Sequence, residues 1–194
     1  MGKKIYTGFS SAQEKSMRSI VKDASSALTK AYAVHSKTDD NDLFSIWFGT
    51  GARASVKAVL KAMNAGMKDG TVTINYTALG GCAGGNTNAI AYQPAIGWQV
   101  ANIQQARNVD FTLDICPRLL KIMATAGTEN QSQVGTLLHE ISHLLGGTND
   151  EADPGTGVVA YGAAAAKALA TNHPALAVNN AENYGFYISA FLTA

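Results

Sequence analysis

The run HEISH at 139–143 limits the folds open to this chain more than any other stretch. On a helix, residues four apart share a face, so His139 and His143 point the same way and both imidazoles can reach one ion. Around them Val134, Leu137, Leu138, Ile141, Leu144 and Leu145 recur at helical spacing and mark the segment as a core element. Histidines buried there without partners would be costly, so the pattern asks for a ligand that satisfies them. The periodicity begins at Gln131 and ends after Leu145 at Gly146-Gly147, a stop signal that frees the chain to reverse direction.

Two imidazoles with an open position suit zinc, and a catalytic zinc needs a third protein ligand. The position six residues after His143 is Asn149, which binds zinc poorly and is set aside. Asp150, delivered back by the glycine turn, and Glu182, on a later helix, both stay open on the residues alone. Glu140 sits about 100° round the helix from His139, placed to take a proton from water without being a ligand. A purely structural metal site would not need it.

The rest of the chain reads as helices around a small sheet. Ser11 and Glu14, spaced as a capping box, open a long amphipathic helix carrying Met17, Ile20, Val21, Ala24, Leu28 and Ala31. After the aromatic segment 43–49, Val56, Val59, Leu60, Met63 and Met67 mark a second helix closing at Asp69-Gly70. From Thr71 the period becomes two, in TVTINYTAL, NAIAYQ and NVDFTLDI, until Cys116-Pro117 ends the sheet. The strand NVDFTLDI, if it lies at the sheet edge beside the HEISH helix, can hold a peptide by strand addition. Further helices are expected from about Gly157 to Ala170 and from His173-Pro174 toward the terminus. His35 and His173, with no spacing partner, read as surface residues, and GGCAGG reads as a turn, since it lacks the lysine and hydroxyl of a phosphate loop.

Composition excludes several partners. With 194 residues, 46% apolar and 15% charged, a single domain over 1–194 with a proper core is expected. A net charge of +1 without a Lys/Arg cluster gives no footprint for nucleic acid. No apolar run approaches the ~18 residues of a membrane span, and the first residues lack the apolar stretch of a signal peptide.

HEISH followed by GTND at 147–150 resembles the aspzincin signature, HExxH with GTxD, of the deuterolysin and peptidyl-Lys metallopeptidases. The likeness extends to FGTGARASVKAVLKAM, to the strand ending in ICP, to AYG at 160–162 and to LATNHPALAVNNAENYGFY at 169–187. It implies an α+β, zincin-like metallopeptidase domain: N-terminal helices, a small central sheet, the HExxH helix and C-terminal helices. It further implies Zn2+ held by His139, His143 and Asp150, Glu140 as general base, and a peptide or protein substrate. The likeness also implies a protein that works outside the producing cell, with Cys82 and Cys116 disulfide bonded; the missing signal stretch would equally suit a delivered toxin or effector that binds zinc and a protein partner, such as an inhibitor or immunity protein, with little or no peptidase turnover. Such a bond would close a loop of about 34 residues, a constraint on the unfolded chain of roughly 3 to 4 kcal/mol.

The chain departs from the family pattern in two places. EADPGTGVVA separates Asp150 from Tyr161, the candidate donor to the oxyanion, where the family keeps the two within a few residues of each other. Lysine-specific members place two acids in the stretch matching NNAENYGFY; Glu182, the candidate substrate-binding acid, keeps the first, and Gly185 stands at the second. A weakened lysine preference is expected, with Gly185→Glu strengthening it, or with Glu151 or Asp153 lining the pocket instead.

Overall fold

The computed structural model describes residues 2–37, 41–83, 89–92, 110–122 and 132–192. Helix α1, Ser11–Lys37, buries Met17, Ile20, Val21, Ala24, Leu28 and Ala31 along one stripe, as their spacing requires. Its cap lies one residue earlier than expected. Ser10 N–H donates to Gln13 Oε1 at 2.9 Å and Gln13 N–H to Ser10 Oγ at 3.4 Å, leaving Glu14 to pair with Arg18.

The aromatic segment forms a helix of its own, α2, Asn41–Phe48. Phe44, Trp47 and Phe48 stand at i, i+3 and i+4 and all three are buried, Trp47 stacking on Phe186 at 5.0 Å. Helix α3, Arg53–Asp69, matches the second expected helix. His35, read from sequence as a surface residue, is buried: it stacks on Phe44 and its Nε2 lies 3.2 Å from Arg53 O.

Among the described residues four strands make the sheet: β1, Lys4–Thr7; β2, Thr71–Tyr76; β3, Ala89–Tyr92; and β4, Asp110–Ile115. Their order is β1-β2-β4-β3, with β1, β2 and β4 parallel and β3 antiparallel to β4. β1 has only four residues, too few for alternation to announce it. The condition for NVDFTLDI to hold a peptide, that it lie at the edge, is not met, because β4 is paired on both sides. Among the described strands the outermost on that side is β3. Cys82 and Cys116 are joined as a disulfide, tying the turn at Gly80–Cys82 to the end of β4, with Cα atoms 5.2 Å apart.

Pro117 then opens α4, Pro117–Ile122, and Ser132 caps α5, Gln133–Ile141, by accepting from Gly135 N–H at 2.9 Å. The helix continues through a wider, π-type turn at Ser142–Gly146 and stops at Gly147, whose φ of 68° only glycine adopts freely. Gln131, the expected start, lies outside the described residues. No helix runs from 157. Residues 151–160 double back as a hairpin, and α6 spans Ala163–Asn172. A short α7, Pro174–Ala177, precedes α8, Ala181–Ser189, the two separated by a turn ending at Asn180.

Helix α8 is buried from Ala181 to Ser189 and packs across α5. Two glycines bring the helices together: a Cβ on Gly185 would lie 2.9 Å from Gly135 O and 3.5 Å from His139 Cβ. Gly185 therefore cannot host the second acid of a lysine pocket, and the expectation that Gly185→Glu adds one is withdrawn. Even Gly185→Ala forces the helices apart and is expected to destabilise the fold by about 1 to 3 kcal/mol. Urea unfolding of the metal-free chain measures this; unchanged stability would mean the crossing is looser than described.

Candidate metal centre

The centre is assembled by three segments: α5 with its π-type turn, the loop after Gly147, and the first turn of α8. His139 and His143, one helical turn apart, meet edge to face with ring centroids 4.7 Å apart. Each ring is fixed by the nitrogen facing away from its partner. His143 Nδ1 lies 2.7 Å from Thr148 O and donates to it, which turns Nε2 toward His139 and Asp150. His139 Nδ1 lies 3.0 Å from Glu182 Oε2. Thr148 is held in turn, its hydroxyl 2.7 Å from Ser142 Oγ, which bonds to His139 O.

Asp150 brings the third arm. Its Oδ1 lies 3.2 Å from His139 Nε2 and 3.4 Å from His143 Nε2, and those two nitrogens are 3.1 Å apart. Among the described residues these three side chains form a group whose ligand atoms all lie within 4.8 Å of one another. Three corners of a tetrahedron with metal–ligand bonds of about 2.0 to 2.1 Å are separated by roughly 3.3 Å. The triangle has the size a zinc-like ion demands. Its outer side is open, for Asp150 is exposed while His139 is buried.

The inserted residues leave Tyr161 beside Asp150. Ala152 bridges Val159 antiparallel, Asp153 N–H donates to Val158 O, and Ala160 N–H donates to Glu151 O. That register places Tyr161 opposite Asp150, and the phenol donates to Asp150 Oδ2 at 2.7 Å. The ring stands 6.1 Å from that of His139.

Glu182, the candidate substrate-binding acid, is engaged at the metal centre itself. It is 4% exposed, and both oxygens are taken: Oε2 by His139, Oε1 by Gly162 N–H at 2.7 Å. It orients a candidate ligand, and it also lines a small pocket with Gly135, Thr136, Gly185 and Phe186. Neither acid of the insertion replaces it. Glu151 Oε1 is held by Asn179 and Asn149, and Asp153 Oδ1 accepts from Gly155 and Thr156 N–H to cap the hairpin turn.

The negative groups set the protonation of the cluster. Burial works against charging His139, yet hydrogen bonds to Asp150 and Glu182, with the charge of Glu140 nearby, push its pKa up to about 10. Partial burial works against Asp150, but bonds from His139, His143 and Tyr161 hold its carboxyl well below the usual carboxylate range. Burial and donation to Asp150 keep the Tyr161 proton in place far above the ordinary phenol range. Half-buried Glu140 acts electrostatically on both His139 and Tyr161.

The sequence singles out His139, Glu140, His143 and Asp150 but not the residues that brace them: Ser142, Thr148, Asn180 and Asn183. The signal was present in NNAEN, a polar run entering a helix that is otherwise apolar.

Residues 32–189 match the family model described as lysine-specific metallo-endopeptidase, the aspzincins. The chain is 28% identical over 185 residues to a peptidyl-Lys metalloendopeptidase of Grifola frondosa, covering 94% of this chain and 45% of that one. It is 27% identical to that of Armillaria mellea, covering 96% and 47%, and 24% identical to that of Pleurotus ostreatus, covering 94% of each. It thus spans less than half the length of the first two. A solved zinc peptidase from Grifola frondosa superposes with a TM-score of 0.69 at 26% identity, over 93% of this chain and 96% of the other.

The raised pKa of His139 has a measurable consequence. In the metal-free chain its stabilising pairing is complete below the ordinary pKa of 6.5 and is lost as pH rises toward about 10. A bound metal must displace that proton. Loading Zn2+ at about pH 8 is expected to release close to one proton per chain, read with an indicator dye in weak buffer. Glu182→Gln removes a group that raises the pKa, so it should release less. A natural chain that takes up metal without releasing a proton would contradict a charged His139 in the metal-free form.

Proposed function

The chain belongs to the aspzincin family of metallo-endopeptidases, and on that premise we propose that it is a zinc-dependent endopeptidase acting as one domain over 1–194. Zn2+ is held by His139, His143 and Asp150, and peptide or protein chains are the substrate. The observation that carries this reading is the triangle of 3.1, 3.2 and 3.4 Å with Glu140 adjoining its first corner.

When bound, zinc supplies Lewis acidity that polarises the scissile carbonyl and acidifies water toward neutral pH. Glu140 takes the proton from the attacking water and later passes it to the leaving amine nitrogen. Tyr161, which keeps its proton far above neutral pH, supplies a hydrogen bond to the oxygen of the carbonyl as charge develops there. Glu182 holds the His139 ring so that Nε2 faces the ion. Strand β3, outermost among the described strands and lying against α5, supports a role as the edge along which a peptide adds. The disulfide fits work outside a reducing cytosol, hence a secreted or delivered protein.

Specificity follows from where the acids point. The relatives are named for lysine. Here Glu182 has both oxygens engaged, and position 185 is a glycine with no room for a side chain. A lysine ammonium would have to give up hydration without a free carboxylate from either residue.

Two outcomes are expected. Glu140→Gln should retain fold and zinc and lose nearly all turnover, because an amide cannot accept the proton; full activity in that variant would sink the mechanism. Digestion of a mixed peptide library by the zinc-loaded chain, with the metal-free chain as blank and cleavage read by mass spectrometry, should give sites not confined to lysine. Strict lysine cleavage would show that another acid enters the pocket.

A further inference from the structure

We infer that Asn180 is a positioning residue of the metal centre: it fixes the backbone that carries Asp150 and thereby sets how tightly the site holds its ion. The inference rests on the zinc-site reading above.

Asp150 is the exposed arm of the triangle and rides on a loop, whereas the two histidines ride on one helix. A ligand on a loop holds its geometry only if its backbone is braced. The bracing comes from 179–181. Before Asp150, Asn149 N–H donates to Asn179 O at 2.8 Å, and Ala181 N–H donates to Asn149 O at 2.9 Å. After it, Glu151 N–H donates at 3.0 Å to the side chain of Asn180, through Oδ1. Both peptide neighbours of the ligand are thus tied to one short segment.

Asn180 is itself anchored in the core. Its Nδ2 donates to Asn183 Oδ1 at 2.6 Å, and Asn183 Nδ2 donates to Trp47 O at 2.6 Å and Ala166 O at 2.9 Å. Asn180 is 1% and Asn183 0% exposed, so this relay of two amides runs through the interior from the ligand loop to α2 and α6. The chemistry suits an amide, which accepts at one end and donates at the other; a carboxylate cannot donate to Asn183, and an apolar side chain would strand the Glu151 N–H. Two positions further on, Glu182 holds His139. The start of α8 therefore positions two of the three arms, one through its carboxylate and one through the Asn180 amide.

Groups that orient metal ligands typically change affinity by about 10- to 100-fold when removed. The test is zinc affinity, by competition with a chelator of known strength, for the natural chain, Asn180→Ala and Leu28→Ala, with thermal unfolding of each metal-free form. Leu28 is buried in α1, outside the ligand-bearing elements, so its variant lowers stability without touching the brace. The expected result is at least a tenfold loss of zinc affinity in folded Asn180→Ala and none in Leu28→Ala. Affinity of Asn180→Ala within twofold of the natural chain, or equal losses in both variants, would overturn the inference and leave the zinc site standing. A natural chain that binds no zinc would overturn both. Should Asn180→Ala not fold, Asn180→Ser, whose side chain is shorter than the gap to Glu151 N–H requires, decides by the same two results.

Discussion

The arrangement depends on one buried carboxylate. Glu182 sits inside the protein, where an unpaired charge would cost several kcal/mol, and only good partners on both oxygens make that position tenable. One partner is His139 on α5; the other is the Gly162 N–H at the start of α6, where the positive end of the helix also favours an anion. A single side chain of α8 thus joins the helix that bears the histidines to the segment that bears Tyr161. The glycine crossing makes this possible: without the close approach of Gly135 and Gly185, α8 would stand further from α5 and its glutamate further from His139.

Around that contact negative groups are in surplus, with Glu140, Asp150 and Glu182 all acting on His139. The surplus of negative charge raises His139 above its ordinary pKa in the metal-free protein, and the same surplus favours a divalent cation over a proton. The rings are already turned to receive it, because Glu182 and Thr148 O hold the two Nδ1 atoms and leave both Nε2 atoms facing Asp150. Little of the ion's binding free energy is then needed to reorganise the site.

What could be read from the sequence was what periodicity and local chemistry encode. HEISH on an apolar helix, the stripe of α1 and the alternation in TVTINY and DFTLDI each report themselves within a few residues. The misread features depend on distant parts of the chain. Glu182 looks like any helix glutamate until α5 is packed against it, and Gly185 looks like a vacant pocket position until Gly135 O is found beside it. His35 shows no spacing partner, yet Phe44, Arg53 and Tyr187 surround it. Whether β4 is an edge stays open in the sequence because strand order is not local information.

The insertion between Asp150 and Tyr161 makes the same point in reverse. A longer connection would seem to separate the two, but lengthening a loop costs little closure entropy, and what matters is where the chain returns. Here it returns as an antiparallel hairpin whose pairs, Ala152 with Val159, then Glu151 with Ala160, lead back to Asp150 opposite Tyr161. Asp153 fixes that register by closing the turn with its own side chain. Because alternate residues of a strand face opposite sides, a slip of one position would turn the phenol away from the carboxylate, whereas adding one residue to each arm would leave it in place. The constraint on this part of the molecule is therefore the parity of the hairpin, not its length, and a site can absorb an insertion next to a ligand provided that the extra residues pair with one another.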